Sequence, residues 1–280
     1  MKKIIVLLTV FLVAGCSTKF AYKNIDWLVY WYIDDYIDMT KAQEQQFDTY
    51  LEQWLSWHKR SELPLYLAHL EELKADIASQ NISIAQMDYH QEKAREHWTR
   101  FRAHIAPDLA QLATTLSDEQ VVYLFAALEK ENLEDEEERE ERAKRSEKRK
   151  KADWLDRNED NLEKWLGNLT DEQETFVENS YGNFSSTSQY WLEYKRNYQQ
   201  ALRKVFSQAG RGEEFTSRLA ELLTDPERFR SDEMQAVSAR NESASKQYLL
   251  TIFSLSTEKQ RQHLIEEIDS LRDDITELAN

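Results

Sequence analysis

A chain of 280 residues with 52 acidic against 36 basic side chains, net charge −16, repels polyanions over most of its surface, which excludes nucleic acid as a partner. Its single cysteine excludes an internal disulfide and a zinc–thiolate cluster. Five glycines and three prolines are too few to punctuate a strand-rich protein, so the composition predicts an all-α fold: an elongated bundle of long helices with no strand.

The chain opens Met1-Lys2-Lys3, runs apolar from Ile4 to Ala14, and then reads Leu12-Val13-Ala14-Gly15-Cys16-Ser17-Thr18. A cationic start, a short apolar run and small residues before the cut are the parts of a secretory signal. The run falls well short of the roughly 20 apolar residues that a spanning helix needs. Its end resembles the lipobox of bacterial lipoproteins. That resemblance implies removal of residues 1–15 as a signal peptide, acylation of Cys16, and a single helical lipoprotein domain over 16–280 held to the membrane by its acyl chains. Each buried methylene of such a chain is worth about 0.8 kcal/mol. Ser17, where an Asp commonly retains lipoproteins at the inner membrane, implies by the same resemblance an outer-membrane protein facing the periplasm.

From Ile25, apolar residues at Leu28, Val29, Tyr32, Ile33, Tyr36 and Ile37 trace one helix face. Trp27, Tyr30 and Trp31 make the other side nearly as apolar, which predicts a helix packed between neighbours. A second helix follows Thr40, with Phe47, Tyr50, Leu51, Trp54, Leu55 and His58 on its stripe, and Pro64 is expected to end or kink it. The stripe continues through Tyr66, Leu67, Leu70, Leu73 and Ile77 to a break at Ser79-Gln80-Asn81. Ser83 with Gln86 forms a capping box and Ile82 with Met87 a hydrophobic staple. They open a helix that carries Trp98, Phe101 and Ile105 up to Pro107.

From Ser117 to Gly167 there is neither proline nor glycine, which predicts one continuous helix of about 75 Å. Its middle, about 129–151, is polar all round: mostly acidic from Glu129 to Glu141, mostly basic from Arg142 to Lys151. The pairs Asp135/Arg139, Glu138/Arg142, Glu140/Lys144, Glu141/Arg145 and Glu147/Lys151 have favourable helical spacing. The segment is therefore expected as an extended, highly charged, solvated helical bridge. After Gly167 the aromatic stripe of Phe176, Val177, Tyr190, Trp191, Tyr194, Tyr198, Leu202, Val205 and Phe206 predicts a long helix, with Gly182 and Ser185 to Ser188 as the place for an interruption. Shorter helices follow around Phe215 to Leu223, Val237 to Phe253 and Leu264 to Leu278.

One phrase recurs: Met39-Thr40-Lys41-Ala42-Gln43, Leu116-Ser117-Asp118-Glu119-Gln120, Leu169-Thr170-Asp171-Glu172-Gln173, and more loosely Leu255 to Gln260. Physically it is a helix start: Ser or Thr caps a free amide and Gln three residues on reaches back. The irregular spacings argue against a repeat array. The phrase resembles the LTxxQ signature of helical periplasmic stress proteins. A broader resemblance is to a group of uncharacterised lipoproteins of Gram-negative bacteria. It rests on Asn24-Ile25-Asp26-Trp27-Leu28, Tyr32-Ile33-Asp34-Asp35-Tyr36, Met39 to Gln43, Trp57-His58-Lys59-Arg60-Ser61-Glu62-Leu63-Pro64 and Trp165 to Thr170. It implies a helical envelope lipoprotein and brings no activity or catalytic residue.

His90, His97 and His104 lie seven apart on one helix, about 10 Å per step, too far to share a metal unaided. Only His104 has an acid four residues on, Asp108. Phosphate-binding glycine loops, HExxH and G-x-S-x-G are absent. No metal and no cofactor is therefore expected. Asp34 and Asp38 share a helix face with Asp35 beside them, among aromatics, and make a possible partner or ligand site. Lys59-Arg60 and Arg95, Arg100 and Arg102 are the basic candidates to pair with them. These features point to a non-enzymatic, protein-binding or chaperone-like envelope factor. An envelope enzyme using acids near Asp34 and Asp38, or a metal-responsive sensor, are the alternatives.

Overall fold

This computed structural model describes residues 15–279. Among the described residues there is no strand and no helix long and apolar enough to cross a membrane. The first helices are α1 (Gly15–Lys23), α2 (Ile25–Ile33), α3 (Lys41–Trp57), α4 (Leu63–Ala78) and α5 (Ile84–Ala113), with a π turn at His58–Glu62 joining α3 to α4. The charged stretch forms α6 (Asp118–Lys144) and α7 (Glu147–Leu166), followed by α8 (Asp171–Ser180) and α9 (Ser188–Phe206). The chain closes with α10 (Glu213–Thr224), α11 (Asp232–Ser254) and α12 (Glu258–Ala279). Most of the expected signal peptide, residues 1–14, and the terminal Asn280 lie outside the described residues. Cys16 stands in the first turn of α1.

The recurring phrase does two jobs at once. At Thr40, Ser117 and Thr170 the hydroxyl accepts from the amide three residues on, while Gln43, Gln120 and Gln173 accept the cap's own N–H. Thr257 and Gln260 do the same at the start of α12. A side-chain amide has donors left over after closing its box, and here they join the boxes in pairs. Gln43 Nε2 donates to Gln120 Oε1 at 3.0 Å and Gln120 Nε2 to Gln43 Oε1 at 2.8 Å. Gln43 also reaches the Thr115 carbonyl, and Gln120 that of Asp38, each two residues before the other's cap. Gln173 and Gln260 repeat the exchange at 3.2 and 2.8 Å, and Gln260 reaches the Asn168 carbonyl. Two near-twofold amide clasps thus bind α3 to α6 and α8 to α12.

Among the described residues the apolar core is divided among four clusters. Ala110, Ala113 and Leu116 meet Val205, Phe215, Leu219 and Leu222 where α5, α9 and α10 converge. Leu162, Leu166, Val177, Tyr248 and Ile252 join α7, α8 and α11. Tyr22, Leu63, Ile275 and Leu278 join α1, α4 and α12. Phe47, Leu51, Trp54 and Leu112 join α3 to α5.

Several expectations are corrected. Helix α2 is not packed between neighbours: none of its residues is buried, and Trp27 is 61% exposed. Pro64 does not end the helical run: it sits in the first turn of α4, directly after the π turn. Pro107 does not end α5, which continues to Ala113. The long helix from Ser117 is broken at Arg145, whose backbone is extended, and Ser146 caps a new helix by accepting from Arg149 N at 3.3 Å.

Only part of the charged bridge is solvated. Every residue from Glu140 to Arg149 is exposed, but the acidic start lies on α9, where Asn132 is fully buried and exchanges hydrogen bonds with Gln199 at 2.7 and 3.3 Å. Asp135 pairs with Lys195 and Glu136 with Arg196 across the same seam. Of the helical pairs expected from spacing, Glu138–Arg142 and Glu140–Lys144 meet at 3.9 and 4.0 Å. Arg145 turns instead to Asp153 and Lys151 to Glu178. The aromatic stretch after Gly167 divides into α8 and α9 around Gly182, where φ is 96°.

Candidate functional site

The α4–α5 hairpin brings His69 of α4 between His90 and His97 of α5. The two α5 histidines are two turns apart, and an antiparallel partner fills the gap. His97 Nε2 lies 3.2 Å from His69 Nδ1, and His69 Nε2 lies 3.1 Å from His90 Nδ1. At one end Arg100 Nη2 meets His97 Nδ1 at 2.5 Å, and at the other His90 Nε2 meets Asp76 at 3.1 Å.

These end groups fix the tautomers. Arginine only donates, so His97 Nδ1 accepts and its Nε2–H donates to His69; His69 in turn donates to His90, and His90 to the Asp76 carboxylate. Each ring is neutral, with one N–H, and every ring nitrogen is used. Burial pushes His69 down to about 4, with its two histidine neighbours adding in the same direction. Burial, then Arg100, also lowers His97.

Arg100 is held in turn by Glu62, a carboxylate 2% exposed inside the π turn, through bonds of 3.0 and 3.2 Å. Beside it, buried His58 bonds Tyr22 at 3.1 Å and Tyr66 at 3.3 Å, and burial pushes it down to about 4. Because the row's nitrogens bond one another, they do not converge on a point. Among the described residues no group of three His, Cys, Asp or Glu is placed to hold a metal. His104 lies outside the row, stacked on Trp57 at 3.8 Å, and its expected companion Asp108 accepts from Trp54 instead.

His90 is also a wall of an apolar cleft, a space of about 520 Å³ between the α4–α5 hairpin and α7, α11 and α12. Leu73, Ile77 and Met87 face Leu162, Trp165, Leu249, Phe253 and Leu264 across it. Its polar groups gather along the α5–α11 seam: Gln86, His90 and Gln91 opposite Glu242, Ser245 and Lys246, with Lys246 bound to Asp88 and Glu242. The volume lies within the 300–1,000 Å³ or so typical of ligand sites, and an apolar interior with a few placed polar groups is their usual make-up.

The acids singled out in the sequence are placed differently. Asp34 and Asp35 are exposed and line a second cleft, of about 370 Å³, with Tyr36, Tyr123, Lys130, Glu131, Glu134, Asp135 and Glu138. Asp38 is not in that lining, and its carbonyl serves the Gln120 clasp. The expected arginine partners turn elsewhere: Arg60 bonds Ser56, Arg95 pairs with Glu92, Arg100 with Glu62 and Arg102 with Glu227. Sequence reasoning missed His69, Glu62 and Arg100 as one constellation. The signal available was the seven-residue spacing of His90 and His97, which leaves room for one ring from a facing helix.

Residues 35–235 match a family of unknown function, DUF6279. No curated protein and no solved structure matches the chain.

Proposed function

We propose, for a chain that belongs to DUF6279, a family of unknown function, the role of a non-enzymatic binding protein of the cell envelope. It is held to the periplasmic face of the outer membrane through acylated Cys16, and it receives apolar side chains of other envelope proteins in the cleft beside His90. The observation that carries this reading is the cleft itself: some 520 Å³ walled by leucine, isoleucine, methionine and tryptophan with one polar seam. That is room for a few large side chains of an unfolded or extended client, as a chaperone-like factor requires. Leu249, 45% exposed at the cleft, is the place to test it. A photo-crosslinking residue at Leu249 should capture envelope proteins in cells, and one at Leu133, 51% exposed and remote in the chain, should not. Equal capture at both positions, or none at Leu249, removes the reading.

A second reading, an envelope enzyme working through Asp34 and Asp35, is favoured by the acidic cleft they share with Glu131, Glu134 and Glu138. Under it, Asp34→Asn with Asp35→Asn changes the wall fragments or lipids seen by mass spectrometry of the envelope. Under the first reading it leaves them, and the Leu249 crosslinks, unchanged.

A further inference from the structure

Helix α2, Ile-Asp-Trp-Leu-Val-Tyr-Trp-Tyr-Ile, has two charged-free turns of large apolar residues and yet buries none of them fully. Phe20 is 63% exposed, Trp27 61% and Trp31 43%. They stand at i, i+7 and i+11, one stripe of a helix. Two helical bonds, Asn24 N to Phe20 O at 3.1 Å and Leu28 N to Asn24 O at 3.0 Å, cross the break between α1 and α2, where Asn24 takes φ −119° and ψ 27°. The Trp27 and Trp31 rings stack with centroids 6.4 Å apart.

The other side of these helices is taken by the body. Tyr22 is buried with Leu63, Ile275 and Leu278, Val29 and Ile33 pack on the Phe47 cluster, and Lys19 and Lys23 pair with Glu277 of α12. Exposed apolar residues scattered singly are ordinary. Three large aromatics on one stripe mark an interaction surface.

The position of Cys16 says what covers it. Phe20 follows Cys16 by one turn, and Trp31, the far end of the stripe, is fifteen residues on, about 22 Å at helical rise. A bilayer with its headgroups spans about 40–45 Å, so an acylated Cys16 holds the whole stripe within reach of one leaflet. Indole rings settle at the membrane–water boundary, where the apolar body is desolvated and the N–H stays hydrated. Asp26, Asp34 and Asp35 flank the stripe, so the attraction is apolar and favours zwitterionic over anionic lipid.

We propose that Phe20, Trp27 and Trp31 form a second membrane contact, seated in the headgroup–acyl boundary of the leaflet that the Cys16 chains enter. The proposal rests on the acylation of Cys16 put forward above. Acyl chains alone tether the body by a swivel, whereas a seated helix face fixes which side of it looks away from the membrane.

The test uses the full acylated chain in vesicles of phosphatidylcholine and phosphatidylethanolamine whose acyl chains carry bromine, a short-range quencher of tryptophan. The wild-type protein should float with the vesicles and show quenched emission. The Trp27→Phe/Trp31→Phe variant should float equally and lose that quenching, since six of the eight tryptophans remain as unquenched reporters. A wild-type chain that floats unquenched, or a double variant quenched as before, overturns the contact while leaving the anchor intact; the unquenched case would point to a protein covering the stripe. A chain that lacks acyl mass and does not float overturns the anchor, and the contact with it.

Discussion

Taking the protein from pH 7.5 to about 5 should weaken the fold, because acid protonates histidines in the unfolded chain that the folded chain holds neutral. His58 titrates near 6.5 when unfolded and is pushed down to about 4 by burial in the fold. Between those values the unfolded state binds the extra proton. The contribution is therefore complete above about pH 6.5, falls as the pH drops, and is fully lost below about pH 4. At about pH 5 one such group withdraws about 2 kcal/mol. His69 acts in the same direction, and because its ring is only partly buried its share is smaller, so the two together withdraw about 3 kcal/mol. Ordinary carboxylates are still ionised there and contribute little. Urea unfolding at the two pH values measures the difference. His58→Gln keeps an amide within reach of Tyr22 and Tyr66 and removes the titrating ring, so with His69→Gln it should flatten the curve. A wild-type stability that does not change between the two pH values would refute the reasoning, as would an unchanged slope in the double variant.

Removing buried Gln43 strands the half-buried Gln120 amide and the Thr115 carbonyl, so Gln43→Ala should cost about 1–3 kcal/mol. Adding Gln120→Ala should cost clearly less than a second such increment, a non-additivity that chemical denaturation resolves. Glu138→Gln with Glu141→Gln, in the last two turns of α6, should lower stability by less than about 1 kcal/mol and by still less in high salt. Leu219→Ala, at 3% exposure in the α5–α9–α10 cluster, should cost about 2–5 kcal/mol in the same assay. Cys16→Ser should leave precursor or unanchored protein on membrane fractionation, and Ser17→Asp should move the mature protein toward the inner membrane. An unchanged outer-membrane pool in Cys16→Ser would mean that something other than acyl chains holds it.

Helix starts were legible because each is a local contract among four residues: Thr40 to Gln43, Ser117 to Gln120 and Thr170 to Gln173 all open helices as read. Their joining was not, since nothing within four residues of Gln43 shows that its free amide meets one 77 positions on. Prolines misled for a related reason: Pro64 and Pro107 forbid one hydrogen bond each, and whether a helix tolerates the loss depends on its neighbours. The break at Arg145-Ser146 carried its own signal, a serine able to cap, obscured by helix formers on both sides. Amphipathic spacing shows which face of α2 is apolar, but it cannot tell a face met by protein from one left open, and Trp27 falls on the second kind. The histidine row needed a ring from another helix, and periodicity names faces without naming the face opposite.

The π turn at His58–Glu62 sets the phase of everything after it. Leu63 N bonds His58 O five residues back, so this turn holds one residue more than an α turn and advances the following side chains by about 100° around the axis. That extra residue is what aims His69 at the gap between His90 and His97. Deleting exposed Ser61 would let the turn close as an ordinary α turn and rotate α4 back, sending His69 to another side of its helix. The histidine row is thus addressed by a single insertion. Related chains one residue shorter at this point should lack it, even where every histidine is present.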